Sequence, residues 1–220
     1  MIARVKAQTS AFLDKGKIVA TIGGDHSTPL GLIQSLADRH GEFGILQIDA
    51  HMDLRNSYEG FRYSHASIMY NALKLPQVTK LVQVGIRDYC AEEEQVVADM
   101  NGRVIVHFDE DLHREKWAGS SWMDMANKFV ADLPEKVYVS FDMDGLDPSL
   151  CPNTGTPVAG GLSFAEAMYL LEEVVRTGRQ LIGFDVSEAG NHPWDANVAA
   201  RVILKLCALT GVSRGHLRLA

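Results

Sequence analysis

Four short polar segments hold the residues whose types and spacing suit chemistry. They are Gly23-Gly24-Asp25-His26-Ser27, Asp49-Ala50-His51-Met52-Asp53, Asp142-Met143-Asp144-Gly145-Leu146-Asp147-Pro148 and Asp185-Val186-Ser187-Glu188, and each follows an apolar run. On an extended chain, residues two apart point to the same side. Asp49, His51 and Asp53 can therefore converge from one strand end, Asp142 and Asp144 from another, and His26 from a third. Carboxylates crowded into one place resist ionising together. A pair of divalent cations would balance the four aspartates. A mostly oxygen donor set suits Mg, Mn or Ca, and the two imidazoles tilt the choice toward Mn. A lone Asp-x-Asp is ordinary at a strand end, so the reading rests on three such segments together. Asp25 reads equally as a residue fixing the Gly23-Gly24 turn, and Asp147 as a turn or cap residue.

The elements that must position these groups alternate regularly. Short apolar runs at 17–22, 43–48, 81–86, 103–108, 136–141 and 180–186 read as strands. Stretches at 29–39, 64–75, 91–100, 122–133, 163–177 and 196–209 have helical spacing. Continuous apolar strands suit burial on both faces. Strand alternating with helix predicts right-handed crossovers and a three-layer α/β/α fold with a mostly parallel sheet. In such a sheet the ligand site lies at the carboxyl ends of the strands, where the polar segments fall.

Bulk composition narrows the function classes. The 220 residues carry a net charge of −7 with no Lys/Arg cluster, which argues against a nucleic-acid partner. Cys90, Cys151 and Cys207 are scattered and odd in number, so neither a cysteine zinc site nor a disulfide framework is expected. The first residues are too polar for a signal peptide, and no run of about 18 apolar residues is evident. These features predict one domain over 1–220 in the cytoplasm, without a membrane partner.

GGDHS, DAHMD and SFDMDGLDP in this order, with GTPVAGGL at 155–162, resemble the ureohydrolases: arginases, agmatinases and related guanidino-compound hydrolases. The likeness runs from about Lys17 to the C-terminus and implies an arginase/deacetylase-like fold. It implies two Mn²⁺ per chain, one held by His26, Asp49, Asp53 and Asp142, the other by His51, Asp49, Asp142 and Asp144. It further implies that Asp53 accepts a hydrogen bond from the water the metals share, that His65 shuttles a proton, and that Glu188 receives the substrate guanidinium. On the residues alone, His65 reads as a helix-start histidine and Glu188 as an ordinary strand-end carboxylate.

The resemblance divides on substrate. SFDMDGLDPSL with TGTPVAGGLSF looks most like arginases, while DLRNSYEGFRYSHAS looks more like agmatinases. Cys90 stands where arginases place their second aspartate, which favours agmatine, cleaved to putrescine and urea; Arg55 points instead toward a carboxylate-bearing guanidine. Arginine hydrolysis, a formiminoglutamate-type hydrolysis releasing formamide and an inactive scaffold role are the alternatives. Family members usually carry a substantial region, including a first strand, before GGDHS. Here about one helix precedes it, which predicts an exposed sheet edge. A homotrimer or hexamer is the assembly implied. His107 is expected to be structural, His40, His113 and His216 exposed, and His192 and Trp194 candidates for pocket contact.

Overall fold

The computed structural model describes residues 1–218. Six strands, β1 (Ala20–Ile22), β2 (Phe43–Ile48), β3 (Val78–Ile86), β4 (Val104–Phe108), β5 (Lys136–Asp142) and β6 (Gln180–Ser187), form one sheet in the order β1-β6-β5-β2-β3-β4. Every pairing is parallel. From β2 the chain winds outward through β3 to β4, and from β5 it winds the other way to β6. The β2/β5 boundary is thus the switch point at which such sheets bind ligands.

Helices cover both faces. On one side lie α1 (Ile2–Leu13), α2 (Leu30–His40), α3 (Ile68–Ala72) and α4 (Ala91–Asp99). Their apolar residues pack with Phe43, Ile45, Leu81, Tyr138 and Ile182 of the sheet. On the other lie α5 (Asp109–Trp117), α6 (Trp122–Ala131), α7 (Phe164–Arg176) and α8 (Pro193–Ser213), over Leu46, Ile48, Val82, Val139 and Phe141. The three-layer α/β/α prediction therefore holds. In α7, Ala167, Leu170, Leu171 and Val174 recur at helical spacing and are buried. Its start is set by a capping box, with Ser163 Oγ accepting from the Glu166 amide and the Glu166 carboxylate accepting from the Ser163 amide.

Several expectations need correction. β1 is three residues long rather than six and lies at the sheet edge, where Ile22 is 56% exposed. Residues 64–75 are not one helix: a 3₁₀ turn, His65–Ser67, precedes the five-residue α3. The helix expected at 196–209 runs from Pro193 to Ser213, started by Pro193 and capped by His192, whose Nδ1 accepts from the Trp194 amide. Over 18 of its residues mean hydropathy reaches 1.4, enough to cross a membrane by length and composition only, although Arg201 and Lys205 interrupt its apolar residues. One face of it, through Val198, Val202, Leu206 and Leu209, packs in the core. Helix α5 was not anticipated; it buries only Asp109 and Leu112 and so lacks an apolar stripe.

Candidate metal centre and active-site cleft

The polar segments meet at the carboxyl end of the sheet. Asp49 leaves β2, Asp142 ends β5, and the 3₁₀ turn Met143–Gly145 brings Asp144 beside them. The loops after β1 and β6 run together: the Gly23 amide donates to the Val186 carbonyl at 3.0 Å, and the Glu188 amide to the Gly24 carbonyl at 2.8 Å. That pairing carries His26 over the central strands and places Glu188 against it, with the His26 amide donating to Glu188 Oε1 at 2.8 Å.

Two clusters share Asp49. Nδ1 of His26 stands 3.2 Å from Asp49 Oδ2, 3.0 Å from Asp53 Oδ2 and 3.1 Å from Asp142 Oδ2. Nδ1 of His51 stands 3.5 Å from Asp49 Oδ1 and 3.1 Å from Asp144 Oδ2. Donor atoms about 2.1 Å from one small cation lie about 3.0–3.4 Å from each other. The atoms are therefore spaced as ligands. His26 Nδ1 is buried and has no hydrogen-bond partner, although three carboxylate oxygens face it. An orphaned acceptor nitrogen of this kind fits a cation, while Nε2, 2.8 Å from Ser140 Oγ, fixes the ring. His26 with Asp49 and Asp142, and His51 with Asp49 and Asp144, each form a metal-capable group. Asp53 stands beside the first group, its Oδ2 3.0 Å from His26 Nδ1.

The protonation of the cluster carries the same message. Burial, then repulsion from Asp49, pushes the Asp53 carboxyl up to about 7. Burial, then Asp144 and Asp49, raises Asp142 well above the usual carboxylate range. Burial would lower His51, but Asp144 and Asp49 override it and hold the imidazole at about 11. Burial likewise opposes a charged His26, and Asp142, Asp49 and Asp53 outweigh it. Without cations the group holds protons in their place, as crowded carboxylates require.

A cleft of about 430 Å³ opens over both clusters and is lined by His26, His51, Asp53, His65, Asp142, Asp144 and Glu188, with Asn153 and Thr156 on its wall. All the predicted site residues are thus brought together; of these, Asp49 lies beneath the floor, fully buried. Asp53 and Glu188 have φ of 55° and 58°, left-handed values for residues with side chains. Such strain, about 1–3 kcal/mol each, gathers at working sites. Burial raises the Glu188 carboxyl above its ordinary range. Asp25 holds its turn by accepting from the Ser27 amide at 2.8 Å and the Ser27 hydroxyl, and its other oxygen is 3.4 Å from His65 Nδ1. Asp147 accepts from the Ser149 amide, a turn residue as expected. His192 caps α8, Trp194 donates to the Ser149 carbonyl, and neither lines the cleft. His107 packs against Phe129, as a structural histidine would.

Arg87 escaped the sequence reading. Its guanidinium donates to the carbonyls of Gly85, Asp144, Leu146, Val158 and Ala159, stapling the 155–161 loop to the turn that carries Asp144. Thr156 on that loop reaches Asp144 Oδ2 at 3.3 Å. The clamp explains Gly160 and Gly161 of GTPVAGG. Gly161 has φ of 95°, and a Cβ there would stand 2.7 Å from the Leu146 carbonyl oxygen and 2.8 Å from Arg87 Nη2. Gly161→Ala is expected to lower unfolding stability by about 1–3 kcal/mol, read from the shift in denaturant midpoint.

Comparison with known proteins places this architecture. A family model described as the arginase family matches residues 1–209, and the chain belongs to that family, the metal-dependent hydrolases of guanidino compounds. It is 34% identical over 215 residues to the N(1)-aminopropylagmatine ureohydrolase of Thermus thermophilus, covering 97% of this chain and 69% of that protein. Among solved structures, the agmatine ureohydrolase of Thermoplasma volcanium superposes with a TM-score of 0.79 at 26% identity, covering 98% of this chain and 70% of that one. Proclavaminate amidino hydrolase of Streptomyces clavuligerus gives 0.83 at 27%, covering 98% and 71%. The chain spans about seven tenths of each of these relatives.

Proposed function

We propose that this chain hydrolyses a guanidine with a cationic or neutral tail, agmatine above all, to urea and an amine, using two Mn²⁺. The observation that carries the reading is the pair of histidine–carboxylate clusters sharing Asp49 beneath a cleft that Glu188 faces. The oxygen-rich donor set with one imidazole per cluster favours manganese. The cations, when bound, supply a water acidic enough to be deprotonated near neutral pH and positive charge for the developing oxyanion. Glu188 pairs with the planar guanidinium and turns its carbon toward the clusters. Asp53 accepts a hydrogen bond from the attacking water and holds it in line. As the water oxygen bonds to carbon and the carbon–nitrogen bond breaks, His65 gives a proton to the leaving amine. Asp25 occupies one ring nitrogen of His65, leaving the other for that transfer.

The tail preference rests on an adjoining pocket of about 120 Å³ lined by Arg55, Tyr58, Asp88 and Glu93. Arg55 Nε is 3.6 Å from Glu93 Oε2, and Glu93 is buried, so that cation is already balanced. Asp88 Oδ2 stands 3.6 Å from His51 Nε2, and with the side chain 60% exposed its other oxygen stays open to meet the tail. Cys90 lies outside both spaces and caps α4. The test is urea release by manganese-loaded protein from agmatine, N-alkylagmatines, arginine and 4-guanidinobutyrate. Amine-tailed guanidines should be turned over fastest. Faster turnover of 4-guanidinobutyrate would overturn the tail assignment, and no urea from any of them would overturn the reaction.

A further inference from the structure

Two glutamines lie in the middle of the sheet, where apolar residues would be expected. Gln47 of β2 and Gln83 of β3 are direct register partners, and both are fully buried. Gln83 Nε2 donates to Gln47 Oε1 at 2.6 Å and to the Met52 carbonyl at 2.7 Å. Gln47 Nε2 in turn donates to Asp49 Oδ2 at 2.7 Å and to the His51 carbonyl at 3.2 Å. The direction of this chain is forced. Flipping Gln47 would set its carbonyl oxygen against a carboxylate and leave both amide nitrogens facing each other. Gln83 has spent both donors, and its Oε1 is buried without a partner. An orphaned acceptor is a cost to the fold, so folding stability alone does not account for the pair.

What the pair acts on is one particular oxygen. Asp49 is the residue common to both clusters, and its two oxygens are held separately. Oδ1 faces His51 Nδ1 and accepts from the His51 backbone amide at 2.7 Å. Oδ2 faces His26 Nδ1 and accepts from Gln47. No other hydrogen-bond donor among the described residues reaches Oδ2. We propose that Gln47, braced by Gln83, is a positioning residue that fixes Asp49 Oδ2 and so sets the affinity of the His26-side cation site independently of the His51-side site. This rests on the two-cation reading. Groups that orient a ligand typically change metal affinity by about 10- to 100-fold when removed.

The test is manganese binding, measured by electron paramagnetic resonance of free Mn²⁺ during titration of the folded chain. Gln47→Leu is made in a His51→Ala background, which leaves the His26 side, and in a His26→Ala background, which leaves the His51 side. The expected result is affinity about tenfold or more weaker in the first background and unchanged within about twofold in the second. Gln83→Leu should give a smaller loss on the same side, and it carries the test should Gln47→Leu fail to fold. Equal weakening on both sides, no weakening, or loss on the His51 side would overturn the assignment. A parent chain that binds two manganese ions while the variants behave this way supports it; a parent that binds none overturns the two-cation reading and this inference with it.

Discussion

Asp49→Asn is expected to reduce bound manganese from two ions per chain to one at most and to slow urea release on the order of a thousandfold or more. Among the described residues, Asp49 is the one shared by both metal-capable groups, with Oδ2 toward His26 and Oδ1 toward His51. The amide keeps the shape but turns one oxygen into a nitrogen that donates and cannot ligate. Whichever way it rotates, one cluster loses its oxygen and the site loses a negative charge. Removing a single hydrogen bond to a transition-state oxyanion costs about a hundred- to a thousandfold, and losing a cation removes more. Metal analysis alongside the urea assay checks this. Two ions retained at undiminished affinity would contradict the shared-ligand geometry.

Glu188→Gln is expected to separate the two readouts: manganese stays at two per chain while kcat/KM for agmatine falls roughly a hundredfold. Glu188 belongs to neither cluster, and its Oε1 is anchored by the His26 amide. A glutamine oxygen can keep that bond. The other side-chain atom, near Gly155 on the cleft wall, becomes an NH₂ that repels a guanidinium. Truncating one partner of a desolvated charge pair costs about 2–5 kcal/mol, and about 3 kcal/mol corresponds to the stated factor. Loss of metal from this variant, or an unchanged kcat/KM, would count against Glu188 as the guanidinium partner.

The pattern of strand and polar strand end was legible because two strong physical signals coincide there. Buried parallel strands read as apolar runs, and β2, β3, β5 and β6 were found with their carboxyl ends within two residues of the expected positions. His26, Asp49, His51, Asp53, Asp142 and Asp144 stand together because their strands do. What escaped was held by through-space contacts rather than by periodicity. His65 sits in a 3₁₀ turn, which shares the helix's local pattern but not its length. Helix α5 starts with Asp109, Glu110 and Asp111 and ends near Arg114 and Lys116, a dipole signature that an apolar-face search passes over. Gln47 and Ser140 each precede an aspartate of the clusters, Asp49 and Asp142, by two residues. That spacing puts them on the same face of the strand, and the period-two rule alone would have singled them out.

Cation binding at the two clusters is the property on which every role assigned to the cleft depends. Anomalous diffraction from manganese-soaked crystals of the chain tests that directly. Two peaks per chain are predicted, roughly 3.5–4 Å apart, one bonded to His26 Nδ1 and the other to His51 Nδ1, with Asp49 touching both. No peak in the cleft, or a single ion lying outside both clusters, would contradict it.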